Sequence, residues 1–120
     1  VAEWAGTSQL IELGGKAVEG LMLVQNYNQE DDSPRFRAFQ DAYRKRFGKA
    51  PVYSSVLTYD VGIAVLTALA RRDAGMRLKD ALLRFGPYEG LQQKVGFDAN
   101  GDAQRVAHFM MIKDGHFVRE

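Results

Sequence analysis

The chain has 120 residues, of which 46% are hydrophobic and 26% charged, with a net charge of +1 and no cysteine. That is the length of one ordinary domain and the composition of a globular protein. The charge balance gives no electrostatic case for nucleic acid or membrane binding, and the absence of thiols removes disulfides, thiolate metal sites and a cysteine nucleophile.

No signal peptide, lipidation motif or transmembrane run is read in the sequence. The chain opens on Val1 in a sequence that already reads as mid-structure. The expectation is a piece of a longer protein or a processed product, which makes a missing signal peptide uninformative.

Glu3 stands beside the single tryptophan, Trp4. Thr7 or Ser8 suits the cap of a short helix over residues 9–13, which Gly14 and Gly15 stop. The apolar run over 20–24 has the length of a buried strand, expected to lie parallel to its neighbours. Residues 26–32, NYNQEDD, read as a loop. Ser33 and Pro34 open a helix. Phe36, Phe39, Tyr43 and Phe47 make an aromatic stripe along it, and Gly48 ends it.

The stretch 51–75 organises the chain. Val61, Ala64, Val65, Ala68 and Leu69 form one stripe, and Leu57, Ile63, Leu66 and Ala70 cover much of the rest. A helix apolar on most sides, expected over 56–70, is a central one that needs cover on more than one flank. It reads as too short and too interrupted for a membrane span. Arg71 and Arg72 suit its C-terminus, and Gly75 is a cap candidate. A third helix is expected over 78–85, stopped by Gly86 and Pro87. Residues 90–97 suit an irregular extended segment, and 98–102 a turn. A strand over 106–112, an Asp-Gly turn and a return through Phe117 and Val118 form a terminal hairpin.

Most candidate chemistry fails on its own terms. Asp98, Asn100 and Asp102 open like a calcium loop, but the sixth position is Ala103 and the twelfth Phe109, so they read as a turn. His108 and His116 flank the hairpin and could face each other, but no third metal ligand is obvious. Arg35, Arg37, Arg44, Lys45, Arg46 and Lys49 read as a solvated helix face, with a phosphate or partner surface as the alternative. No glycine pattern cradles a phosphate, and no nucleophile–base spacing is present. No enzymatic turnover, cofactor or metal is expected.

Tyr53, Ser54, Ser55, Thr58 and Tyr59 differ. Hydroxyls cluster at the start of the central helix, where unpaired backbone N–H groups attract anions or polar ligand groups. Helix capping is the plainer explanation of them. Glu3 beside Trp4 suits a cationic, partly apolar ligand such as an amino acid, or is simply an exposed acid.

An ordered set of motifs spans essentially the whole chain. It comprises GKAVEG over 15–20, the helix with Pro34, Phe39 and Tyr43, and GKAP over 48–51. Tyr59–Asp60, Gly90, GFDANGD over 96–102 and Asp114–Gly115 complete it. It resembles the last third of the extracytoplasmic solute-binding proteins of branched-chain amino acid ABC transporters, the leucine/isoleucine/valine-binding family.

The resemblance implies an α/β fold: part of a two-lobed type I periplasmic-binding-protein fold with Rossmann-like lobes, ending here in a β-hairpin. Residues 1–26 and 110–120 would be C-terminal-lobe-like, and 27–109 N-terminal-lobe-like. The family's acidic residue for the ligand ammonium lands on Glu3. Its side chain contacting the ligand's own side chain lands near Ser54. An aromatic residue is frequent there, so Ser54 departs from the pattern unless neighbouring Tyr53 substitutes. The ligand-binding residues implied are thus Glu3, Trp4, Tyr53 and Ser54.

The function implied is capture of a small polar molecule, an amino acid or relative, by lobe closure in the periplasm, with an ABC permease as membrane partner. A ligand-sensing regulatory domain of the same fold is the rival reading. An independent interaction domain is the third. Because the central helix needs cover, self-association of the 120-residue chain is also expected.

Overall fold

A computed structural model describes residues 3–120. They fall into two compact units, Val1–Ser33 with Val106–Glu120, and Pro34–Arg105.

The first unit begins with a 3-10 turn, Glu3–Ala5, and helix α1, Ser8–Gly14. Thr7 is the cap, its Oγ1 accepting the Leu10 N–H at 3.4 Å. A second 3-10 turn, Gly15–Val18, leads to strand β1, Met22–Gln25. This strand pairs with β5, His108–Lys113, which pairs in turn with β6, His116–Arg119. Both pairings are antiparallel, with Leu23 opposite Met110 and Ile112 opposite Phe117. Those four residues are buried and packed against Leu10, Ile11, Val18 and Leu21. The β5–β6 turn places Asp114 at φ 51° and Gly115 at φ 73°, the left-handed pair that a two-residue hairpin requires. Glu19 accepts the Asp114 N–H at 2.7 Å, which fixes the turn to the segment before β1.

The second unit holds α2, Pro34–Phe47, α3, Tyr53–Arg71, and α4, Leu78–Phe85. A small antiparallel sheet completes it, formed by β2, Tyr88–Glu89, β3, Lys94–Phe97, and β4, Ala103–Gln104. On α3 the buried residues are Val56, Asp60, Ala64 and Ala68, one per turn. Ala64 and Ala68 meet Ala81 of α4 in one core cluster, where small side chains let the helices approach closely. Tyr88 closes this cluster, its hydroxyl 3.0 Å from Leu82 O. The aromatic stripe of α2 packs ring on ring, and Phe39 reaches Tyr59 of α3 at 5.0 Å between centroids.

Several expectations are corrected. Strand β1 is antiparallel to its neighbour, not parallel, and only half-buried, because β5 supplies its partner and α1 covers one face alone. The histidines do not face each other: His108 lies opposite Gln25, and His116 opposite Lys113. Gly75 does not cap α3; the cap is Arg72, and Gly75 serves a later turn at φ 83°. Helix α3 begins at Tyr53 and, by length and composition alone, is apolar enough to cross a membrane, contrary to the sequence reading. It buries the Asp60 carboxylate and packs Ala64 and Ala68 on α4, while the rest of its apolar surface is not covered as the sequence reading expects of a central helix.

Candidate functional site

The first pair of candidate residues lies in the Glu3–Ala5 turn. The Gly6 N–H donates to Glu3 O at 3.0 Å and the Thr7 N–H to Ala5 O at 2.8 Å, which closes the turn. Gln25, the last residue of β1, and Asn26 after it then hold the turn. Gln25, fully buried, donates from Nε2 to Gly6 O at 3.0 Å. A side chain at position 6 would run into Gln25 and Leu23, so only glycine lets the turn approach the strand this closely.

Asn26 grips the carboxylate itself. Its backbone N–H donates to Glu3 Oε1 at 2.8 Å and its side-chain Nδ2 to Oε2 at 3.2 Å. Glu3 is half-buried, and Trp4 beside it is 72% exposed. The turn therefore presents an oriented carboxylate next to an uncovered indole. A carboxylate suits a cation, and an exposed indole suits an apolar or cationic group.

The second pair lies at the start of α3. The Val52 N–H donates to Ser55 Oγ at 3.4 Å, so Ser55 serves the helix end as a cap. Its hydroxyl also meets the Tyr43 hydroxyl at 3.1 Å. Of the hydroxyl cluster, Ser55 is thus structural. Tyr53 is half-buried and Ser54 exposed on the first turn. Glu3 and Trp4 are sequence neighbours in one compact unit, and Tyr53 and Ser54 are sequence neighbours in the other.

Two further groups escaped the sequence reading. Asp60 is buried, accepting the Leu91 N–H at 2.8 Å and pairing with Arg105 at 3.0 Å. Asn26 stands in the stretch that reads as a loop. Nothing local distinguishes it, since its partner lies 23 residues away. In the basic helix, Arg44 meets Asp41 at 3.7 Å and Arg35 donates to Glu89 O at 3.0 Å. The Asp98 carboxylate accepts the N–H groups of Asn100 and Asp102, at 2.8 and 2.9 Å, as a turn requires.

Residues 1–116 match the model of a family described as periplasmic binding protein. Among solved structures, the chain is similar to the leucine binding protein LivK of Thermotoga maritima MSB8. Identity is 28% and the TM-score 0.79, over 99% of this chain and 35% of that one. It is similar to an ABC transporter substrate-binding protein of Desulfitobacterium hafniense in complex with Leu. Here identity is 28% and the TM-score 0.74, over 86% of this chain and 32% of that one. A solute binding protein of R. palustris in complex with benzoate shares the fold at 17% identity and TM-score 0.70, over 92% of this chain and 31% of that one. The chain thus spans about a third of the length of these relatives. No curated protein matches the chain.

Proposed function

The chain belongs to the periplasmic binding protein family, whose type I fold it carries in part, and from this premise we propose that the whole protein is the solute-binding component of an ABC importer. It works outside the cytoplasm, in the periplasm, and delivers its ligand to a permease in the membrane. The family is one of binding proteins, so capture and release replace catalysis.

The ligand is a small polar molecule, an amino acid or a close relative, taken up by lobe closure. Glu3 holds its ammonium group, Trp4 supplies apolar cover, and Tyr53 and Ser54 meet the ligand's side chain. The observation that carries this reading is the half-buried, Asn26-oriented carboxylate of Glu3 beside exposed Trp4. In the lobe assignment, 1–26 and 110–120 belong to the C-terminal lobe and 27–109 to the N-terminal lobe; the division into two compact units supports it. The 120-residue chain on its own self-associates.

Calorimetric titration of the full-length protein with L-leucine, L-isoleucine, L-valine and benzoate tests the ligand class. Saturable binding of one of the amino acids is expected. Binding of benzoate with no response to any amino acid would overturn the reading.

A further inference from the structure

We infer that Asn26 is a positioning residue for ligand recognition: it holds the Glu3 carboxylate in the orientation from which it accepts the ligand's ammonium. This rests on the reading of Glu3 as the ammonium anchor.

The geometry is specific. A carboxylate has about four lone-pair sites, two on each oxygen. Asn26 takes one on Oε1 through its backbone N–H at 2.8 Å, and one on Oε2 through Nδ2 at 3.2 Å. Donors to both oxygens from one residue stop rotation of the carboxylate plane. Both donors are neutral, so they orient the negative charge without cancelling it. A lysine or arginine in the same place would compete with a cationic ligand.

The clamp is itself held. Asn26 follows directly on β1, whose last residue, Gln25, is in register with His108 of β5 and grips Gly6 O at 3.0 Å. Backbone and side chain of Asn26 thus project from a paired strand end, as a precise binding group requires. Leucine in its place has nearly the same shape and no side-chain donor. It leaves the backbone bond to Oε1 and frees Oε2.

The test uses the full-length protein and two probes, L-leucine and 4-methylpentanoate, which is leucine without its ammonium group. Dissociation constants are measured by calorimetry, with unfolding midpoints alongside. The wild type should prefer leucine. Asn26→Leu should weaken leucine binding about tenfold and change 4-methylpentanoate binding by less than about twofold, because a charge-assisted hydrogen bond is lost from the leucine complex alone. Asn26→Ala should do the same, and decides the matter if the leucine variant does not fold. Equal weakening of both probes would reveal a merely structural role and overturn the inference. If Glu3→Gln removes the preference for leucine while Asn26→Leu and Asn26→Ala retain it, the reading of Glu3 stands and the inference alone falls. A wild type that binds both probes equally removes the ammonium anchor and the inference with it; one that binds neither is taken through the same series with L-valine and 3-methylbutanoate, where equal binding or none removes both.

Discussion

Arg105 donates from Nη1 to Asp60 Oδ2 at 3.0 Å, and the two side chains are 8% and 1% exposed. The other carboxylate oxygen accepts the Leu91 N–H at 2.8 Å. One carboxylate on α3 therefore fastens both the turn after β2 and the segment that follows β4. Removing one member of a buried pair strands the other charge, at a cost of roughly 3–5 kcal/mol. In denaturant titrations of the full-length protein, Asp60→Ala should lose about that much stability. Asp60→Ala with Arg105→Met should lose less than the two single changes added together. Strict additivity in that double-mutant cycle would show that the pair carries no coupling.

Gly90 lies against the same carboxylate. A Cβ there would stand 2.9 Å from Asp60 Oδ2 and clash with Gln93 O, whose acceptance of the Gly90 N–H closes the β2–β3 turn. The obstruction on one side is backbone, which cannot swing away. Gly90→Ala should lower the unfolding free energy by about 1–3 kcal/mol, as overpacking does. An unchanged denaturation midpoint would mean that the turn relaxes freely around the added methyl.

Tyr88 gives the second unit a pH dependence. Burial pushes its phenol above the usual tyrosine range, and the charge of Arg71 only partly offsets that. A pKa raised in the folded state means that the native protein keeps the proton more tightly. The contribution to stability is then complete below the unfolded value of about 10 and is lost as pH rises through the folded value. Denaturation midpoints between pH 8 and 11.5 should fall at the alkaline end. Tyr88→Phe should flatten that fall while costing stability at pH 8, because the bond to Leu82 O is lost. An alkaline slope identical in Tyr88→Phe would assign the effect to other groups.

What was legible in the sequence was local. Leu78–Phe85 is helical over the expected residues, and the aromatic stripe of α2 packs along one face, because period and stop signals act within a few residues. The Asp-Gly turn follows from its own dihedral demands. The direction of β1 did not, since parallel or antiparallel pairing depends on β5, far along the chain. The two-residue strands β2 and β4 carry too little pattern to register at all. The same distance hid the contacts that matter most at the site. Glu3 and Asn26 are 23 residues apart and Asp60 and Arg105 are 45, spacings at which no periodicity operates.

Glu3 offers the most direct test of ligand recognition. Its carboxylate is oriented by Asn26, and a charged hydrogen bond to an ammonium group contributes roughly 1.5–3 kcal/mol. Glu3→Gln keeps the shape and removes the charge. In the full-length protein it should weaken amino acid binding by about tenfold or more. Calorimetry showing the wild-type affinity in Glu3→Gln would sink the assignment.

The last expectation concerns the 120-residue chain by itself. Helix α3 buries one line of residues and leaves Val61, Leu66 and Leu69 exposed to 47%, 64% and 39%. The antiparallel sheet of the first unit does likewise. Its second face carries Met22, Val24 and Phe109 at 50%, 41% and 62% exposure, with Val24 directly opposite Phe109. Each such side chain, when fully covered, contributes about 1.5–3 kcal/mol, against a total stability of roughly 5–15 kcal/mol for an ordinary domain. Six of them left in water are enough to decide how the chain behaves. Association supplies the cover. Sedimentation of the isolated chain should therefore show dimers or larger species. Leu66→Lys together with Phe109→Lys should shift it toward monomer, since neither side chain belongs to the buried core. A monodisperse monomer of the unaltered chain that unfolds cooperatively would defeat this expectation. It would mean that the cores around Met110 and Ala64 suffice without further cover.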